Sequence, residues 1–436
     1  MRANRFRTSS LVLAIAVALS AAPQLANGED WPQWRGADRA NRSAETELFA
    51  TWQADGPPLA WVAEGMGSGY ANVSVSDGKA FTTGNRDGRQ AVIAVDVKTG
   101  KVLWTAAISN SDPKHGYDGS RSTPTIDGDK LYVVSSDGAI HCLNTSDGQT
   151  AWKREFSQWK GKMMSGWGFS ESPLVDGDRV ICTPGGAEAM VVALDKSSGE
   201  EIWACPLAYG GDSTDAGGKP LKDGAGYASP IISNACGVKQ YVQFVGRGLV
   251  GIRAADGKLL WQYARVANGT ANIPTAIAEG DYVFTSSGYG TGSALLKLSA
   301  DGTQGVKAEE IYWLGGNEMQ NKHGGMTFVD GYIYCGHGNG NGLPICVEMA
   351  TGKIAWGPQR AAGSGETSTI YADGHIVFRR EDGTVILAKA TPQSFTEVAN
   401  FMPVYQDGKS WAHPVISDGI LYLREQNKLM AYKLRP

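Results

Sequence analysis

Apolar and polar positions alternate in short stretches along most of the chain, and Gly-bearing turns separate them. The stretch Ala94–Trp104 shows the pattern: an alternating apolar segment around Val92 and Ala94 reaches Asp96. Thr99-Gly100 then supplies the left-handed position that a tight two-strand turn demands. Lys101-Val102-Leu103-Trp104 begins a return strand with residues suited to a pleated, half-buried surface. This phrase recurs. Its closing Trp falls at 61, 104, 152, 203, 261, 313 and 356, with spacings of 43, 48, 51, 58, 52 and 43 residues. A degenerate copy ends at Phe401, 45 residues after Trp356. The turns before it read Thr99-Gly100-Lys101, Asp147-Gly148-Gln149, Ser198-Gly199-Glu200, Asp256-Gly257-Lys258 and Thr351-Gly352-Lys353.

Each unit also opens alike, with a Ser/Thr-Pro-like dipeptide, a short strand, an Asp-Gly turn and a strand rich in Tyr, Val or Phe. Ser122-Thr123-Pro124 and Glu171-Ser172-Pro173 are the clearest openings; others lie at Ala228-Ser229-Pro230, Asn272-Ile273-Pro274, Gly324-Gly325-Met326, Thr367-Ser368-Thr369 and Ala412-His413-Pro414. Four short strands in a repeat of this length predict a propeller blade. Asn72-Val73-Ser74 makes the eighth opening. The last unit stops before a return strand, whereas the first return strand, Leu59-Ala60-Trp61-Val62, has no blade before it. The expected fold is therefore an all-β, eight-bladed propeller over 59–436, with four-stranded blades and an N-terminal strand closing the last one, which removes the exposed edges of an open ring.

The residues before the propeller divide in two. Arg2, Arg5 and Arg7 precede an apolar Leu11–Leu19 segment too short to span a bilayer, and small residues follow. Residues 1–28 thus read as a signal peptide, and the protein as exported, periplasmic or extracellular, without a transmembrane segment. Residues 29–58 match no repeat and read as an arm over the domain, anchored by Trp31, Trp34 and Trp52. A net charge of −4, made more acidic by loss of the leader, gives no footprint for nucleic acid.

Composition agrees: 57 Gly, 9% aromatic and 19% charged residues suit a turn-rich β protein. Six cysteines in an exported chain permit disulfides. Cys335 and Cys346 flank one Gly-rich hairpin turn and are the favoured pair, with small buried strand residues as the alternative for all six. Gly246–Gly251 spells G-x-G-x-x-G, but strand residues follow where a dinucleotide site needs a helix, so a hairpin turn is expected. The insertion 210–226, with Asp212, Asp215 and Asp223, reads as a solvated loop before it reads as a cation site. His337–Gly342 reads as a hairpin loop.

The stronger candidate site follows from topology. In a propeller the loops leading to the innermost strands lie on one face around the central channel. One ring should gather Tyr70, Asn72, Arg121, Glu171, Tyr227, Asn272, His323, Glu366, Trp411 and His413. Polar groups converging from separate blades define either a ligand-binding funnel or a hydrated, hydrogen-bonded channel mouth.

The openings S-T-P-T-I-D-G-D-K-L-Y-V (122–133) and closings A-L-D-K-S-S-G-E-E-I-W (193–203) resemble the repeats of pyrroloquinoline-quinone (PQQ) type propellers over about residues 59–436. That superfamily holds quinoprotein alcohol dehydrogenases and BamB-type outer-membrane assembly proteins that are not enzymes. W-P-Q-W-R-G, H-G-G (323–325) and W-A-H-P (411–414) further resemble exported PQQ-like repeat proteins. The dehydrogenase branch implies PQQ and Ca²⁺ as cofactors. Glu171 and Asn272 are then the metal candidates, with Arg121 beside the quinone and Trp411 stacked on it. Glu366 or His413 would be the catalytic base. The chain lacks the adjacent Cys pair of many such enzymes, and also a haem motif and the lipid-attachment Cys of the BamB type. The preferred expectation is a binding scaffold for a protein, peptide or glycan.

Overall fold

A computed structural model describes residues 30–435 apart from 50, 51, 54, 208–213, 216 and 304. The expected leader lies outside the described residues. Eight four-stranded antiparallel sheets follow one another as blades at 74–107, 125–155, 174–205, 231–263, 277–315, 326–356, 367–401 and 415–433. The strand Leu59–Glu64 pairs with Lys428–Lys433 and completes blade 8, so the two ends of the chain close the ring as the repeat count predicts. In each blade the two middle strands are almost wholly buried, because neighbouring blades cover both their faces. Outer strands alternate instead: Val102–Ala107 shows every second residue to solvent.

The repeated Trp is a dock between blades. Its strand bulges one residue after the turn, which re-aims the side chain toward the next blade. The indole N–H of Trp104 then donates to Thr145 O of blade 2 at 3.2 Å. Trp61, Trp152, Trp203 and Trp356 donate likewise to Val97 O, Lys196 O, Ala254 O and Thr391 O of the blade that follows each. The ring lies on the turn glycine of that blade. A Cβ at Gly148, where φ is +71°, would sit 2.7 Å from the Trp104 ring. Glycine is required there twice over, for its φ and for the absent side chain.

The exceptions have causes. In blade 5 the bulge falls opposite Tyr312, so Tyr312 is the docking residue (its hydroxyl donates to Met349 O at 2.6 Å), and Trp313 turns out under the Arg265 guanidinium. Blade 5 also extends its outer hairpin, Gly292–Asp301 with Gly305–Gly315. The neighbouring Trp261 lies back over Gly251 and donates to Gln240 of its own blade. Blade 8 has no such hairpin, because the chain is broken there. Gly56 of the arm stands in its place, and Phe401 of blade 7 packs on it.

The arm does more than cover the domain. Residues 31–45 fill the end of the central channel and bond to all eight blades. Trp31 exchanges two backbone hydrogen bonds with Val75, Pro32 O accepts from Ile126 N, and Ser43 N donates to Tyr371 O. The buried Arg39 donates to Ser172 O, Pro173 O and Pro230 O, spanning blades 3 and 4. Arg35 reaches Thr275 O and Met326 O of blades 5 and 6, and Asn41 reaches Thr369 O of blade 7. Glu45 accepts from Gly419 N of blade 8 at 2.7 Å. Burial pulls Arg39 down to about 9 and Arg35 to about 10, so both keep their charge at neutral pH.

The favoured disulfide is corrected. Cys335 stands opposite Ile345 and Cys346 opposite Tyr334, so the two thiols leave the hairpin on opposite faces. They enter different inter-blade cores, and all six cysteines are free thiols, five of them buried. The G-x-G-x-x-G run is a hairpin between Gln240–Val245 and Gly248–Arg253, as its strand context predicts.

Two outcomes are expected from urea unfolding. Gly148→Ala should cost about 1–3 kcal/mol, combining left-handed strain with the clash on Trp104. The same change in a Trp104→Ala background should cost about 1 kcal/mol less, because the clash on the indole is gone while the φ penalty and the approach to Ala106 Cβ at 2.9 Å remain; additive losses would mean that the indole does not dock on that turn.

Candidate functional site

The eight openings are tied to one another before they form any site. His413 N donates to Asn72 Oδ1, Asn72 N to Thr123 Oγ1, Thr123 N to Ser172 Oγ, Ser172 N to Ser229 Oγ, and Ser229 N to Thr275 Oγ1. This relay passes from blade 8 through blades 1 to 5, and Thr327 with Thr369 joins blades 6 and 7. Thr123, Ser172 and Ser229 of the openings are therefore architectural, each accepting from the backbone of a neighbouring blade.

Above the relay lies a cavity of about 550 Å³ that opens on this face. Trp34 of the arm forms part of its floor and packs on His413, with ring centroids 4.8 Å apart. Eight of the ten expected ring residues line it: Tyr70, Asn72, Arg121, Tyr227, His323, Glu366, Trp411 and His413. Glu171 and Asn272 do not. Glu171 is sunk between blades 3 and 4, where it accepts from Thr183 N and Gln243 Nε2. Asn272 donates to Val245 O and Gly246 O and accepts from Asn268 N, so it serves the backbone.

Other lining residues were not expected from the openings. Trp34 comes from the arm, and Tyr117, Trp167, Lys322 and Lys409 come from earlier positions in the loops between blades. Tyr289, Gly340 and Glu381 come from the tips joining the second and third strands of blades 5, 6 and 7. Those tips point to the same end of each blade as the openings, which is a topological signal that a reading confined to openings passes over. The Gly340 contribution also gives the His337–Gly342 hairpin loop a place at the site.

Charge in the cavity is paired. Lys322 lies 3.2 Å from Glu366, whose Oε1 also accepts from Gly340 N at 2.6 Å. Lys409 pairs with Glu381, which accepts the Trp411 indole N–H at 2.9 Å. The two carboxylates sit across from each other at the inner end of blade 7, where Glu381 N donates to Glu366 O. Like charges so placed repel, and a lysine from each neighbouring loop offsets the repulsion. Burial raises the Glu366 carboxyl above its usual range despite Lys322. Burial also pushes Glu381 up, but Lys409 and Trp411 together outweigh it, and it ends below its ordinary value. Burial lowers His323 to about 4 and His413 well below its ordinary value, so both imidazoles are neutral at neutral pH. Arg121 stacks on Tyr70 at 5.3 Å and uses its terminal nitrogens on the carbonyls of Gly116, Tyr117, Gly119 and Trp167. It shapes the rim loops.

A calcium-bound quinone does not fit this donor set. Calcium takes about six to eight oxygen ligands, whereas Glu366 and Glu381 are held by lysines and Glu171 and Asn272 face elsewhere. Among the described residues no group of three or more His, Cys, Asp or Glu is placed to hold a metal ion. In the 210–226 insertion Asp212 lies outside the described residues. Asp215 caps the backbone of Gly217, Lys219 and Gly269, and Asp223 pairs with Arg247.

Fold and site together define an eight-bladed propeller whose channel is plugged into a cup. The family profile described as "Outer membrane protein assembly factor BamB" matches residues 45–155 and 88–357, and the chain belongs to this family of PQQ-like repeat propellers. Polyvinylalcohol dehydrogenase of a Pseudomonas species is 25% identical over 236 residues, which is 48% of this chain and 35% of that protein. The matched stretches thus span about a third or less of the first curated relatives. Among solved structures, quinohemoprotein alcohol dehydrogenase from Comamonas testosteroni superposes with a TM-score of 0.63 at 16% identity, covering 93% of this chain and 80% of that one. BamB from Moraxella catarrhalis does so with a TM-score of 0.57 at 14% identity, covering 86% and 98%. These structural likenesses concern the fold.

Glu171 yields a pH prediction. Burial raises its carboxyl from 4.5 to about 7. Between those values the folded protein holds a proton that the unfolded chain releases, so this group's contribution to stability falls as pH rises through the window. Glu171→Gln should therefore gain over the wild type as pH rises from about 4.5 to about 7, by on the order of 1–3 kcal/mol, and hold level above that. Thermal melts of both proteins from pH 4.5 to 8 check the slope and its sign.

Proposed function

We propose that the protein is an exported binding propeller whose funnel holds a small molecule or one segment of a larger ligand. It is a scaffold with a recognition cup and not a quinone-dependent oxidoreductase. The observation that carries this reading is the cup itself. It is an aromatic-walled cavity with convergent paired charges, and the protein's own N-terminal arm closes its base. Pockets of this size and make-up are the ordinary form of a small-ligand site. Export rests on the basic and apolar leader at 1–28. A protein, peptide or glycan partner is consistent with the BamB-type relatives and with the aromatic lining.

Purified protein screened by thermal shift and intrinsic tryptophan fluorescence should give a saturable hit. Trp411→Ala should weaken it about 10–100-fold, and Thr270→Trp, which puts an indole into the cavity that Thr270 lines, should abolish it. A hit that survives Thr270→Trp places recognition elsewhere and rejects the funnel. Addition of PQQ with Ca²⁺ should give neither stabilisation nor dye reduction with simple alcohols. Saturable stabilisation with turnover would overturn the binding-propeller reading in favour of the oxidoreductase.

A further inference from the structure

The funnel contains two imidazoles whose hydrogen bonds are half made. His323 Nε2 lies 2.9 Å from Trp411 O, and His413 Nε2 lies 3.3 Å from His323 O. A carbonyl oxygen only accepts, so each Nε2 carries the hydrogen, and each neutral ring is left with an acceptor lone pair on Nδ1. The Nδ1 of His413 is buried without a partner. The Nδ1 of His323, on a half-buried ring that lines the cavity, has no partner among the described residues. The buried acceptor left unmatched on His413 calls for an explanation, and His323 lines the same cavity wall with its ring 5.6 Å from that of His413.

The rest of the wall narrows the donor. Arg121, Lys322 and Lys409 outnumber Glu366 and Glu381, so a cationic ligand meets net repulsion. An anionic ligand would have to compete with Glu366 and Glu381 for the two lysines, and Arg121 is held on backbone carbonyls. A peptide that adds as a strand needs a free sheet edge, and the innermost edges are bonded by the arm. What remains is a neutral ligand with many hydroxyl groups. Each hydroxyl both donates and accepts, so vicinal pairs match an imidazole acceptor and a lysine–carboxylate pair set side by side. The apolar C–H face of a sugar ring packs on electron-rich aromatic faces, and Tyr70 and Tyr117 flank Trp411 at 4.9 Å each.

We infer that the funnel ligand is a neutral saccharide, and that His323 is a specificity-determining acceptor for one of its hydroxyl groups. This rests on the proposed binding function of the same cavity. The test titrates the full chain with cellotetraose, maltotetraose, xylotetraose and chitotetraose, by calorimetry and tryptophan fluorescence. At least one should bind saturably. His323→Phe should weaken it about tenfold or more, and His323→Gln, which restores an acceptor, should recover part of the loss. Should His323→Phe fold poorly, ¹⁵N spectra of histidine-labelled wild type decide the matter, because the His323 Nδ1 resonance must move on saturation. The inference falls if no tetrasaccharide binds, or if one binds with His323→Phe unaffected and the Nδ1 resonance unmoved. If non-saccharide ligands bind and Thr270→Trp blocks them while the sugars stay silent, the saccharide inference alone falls. If Thr270→Trp blocks nothing that binds, the funnel reading falls with it.

Discussion

The inner edge of a propeller is a ring of strand edges with unpaired backbone groups. Eight innermost strands converge on the channel, and each presents N–H and C=O groups that must find partners or water. Here much of that demand is met by one contiguous stretch of the arm. A guanidinium brings five donors in a rigid fork and keeps its charge, which suits it to carbonyls arriving from several directions. Arg39 joins three carbonyls in two blades, and Arg35 joins two more. Without the arm these carbonyls would open onto a channel. With it, the channel becomes a cup whose floor includes Trp34. The same residues that satisfy the fold thereby create the site.

Closure of the ring uses the same chemistry at a second place. Blade 8 carries Arg424, which donates to Met66 O and Gly67 O in the segment leading to blade 1 and to Thr83 O in that blade's second strand. It also receives Arg379 of blade 7, whose buried ion pair with Glu425 lies at 2.6 Å. A buried pair of this kind contributes little net stability against well-packed apolar groups, but losing one partner strands the other charge. It lies beside the blade assembled from both chain ends, where geometric definition matters most. At most of the other junctions a docked Trp carries the contact between blades, through one indole N–H and one glycine turn each, and Tyr312 does so between blades 5 and 6.

The architecture was legible because its signals repeat. A Trp, a turn glycine and an opening dipeptide recurring together specify a blade, and the missing strand at one end matched the spare strand at the other. The blade 5 register was less legible, since Tyr312 and Trp313 are adjacent and only the bulge decides which one docks. The thiol pairing failed for a related reason. Proximity in a hairpin says nothing about face, and Cys335 and Cys346 are diagonal neighbours on opposite faces. For the site, the openings located the ring but not the direction of each side chain. Glu171 and Asn272 belong to openings as Arg121 and Glu366 do, yet Gln243, Thr183 and the Gly246 turn draw them into the protein. Arg35 and Arg39 were hidden because a plug of buried arginines leaves no periodic pattern.

The division between what repeats and what does not also bears on function. The matched family profile ends at residue 357, whereas Trp34, Glu366, Glu381, Lys409, Trp411 and His413 all lie outside it. The profile therefore concerns the repeated scaffold, and these six lining residues come from segments that it does not reach. Since a propeller places its loop chemistry at one end and its packing in the blade interiors, the two can change independently. Membership of a family with both oxidoreductases and assembly proteins is thus compatible with either chemistry. The choice falls to the loop residues, and in this chain those are aromatic rings, paired charges and unprotonated imidazole nitrogens.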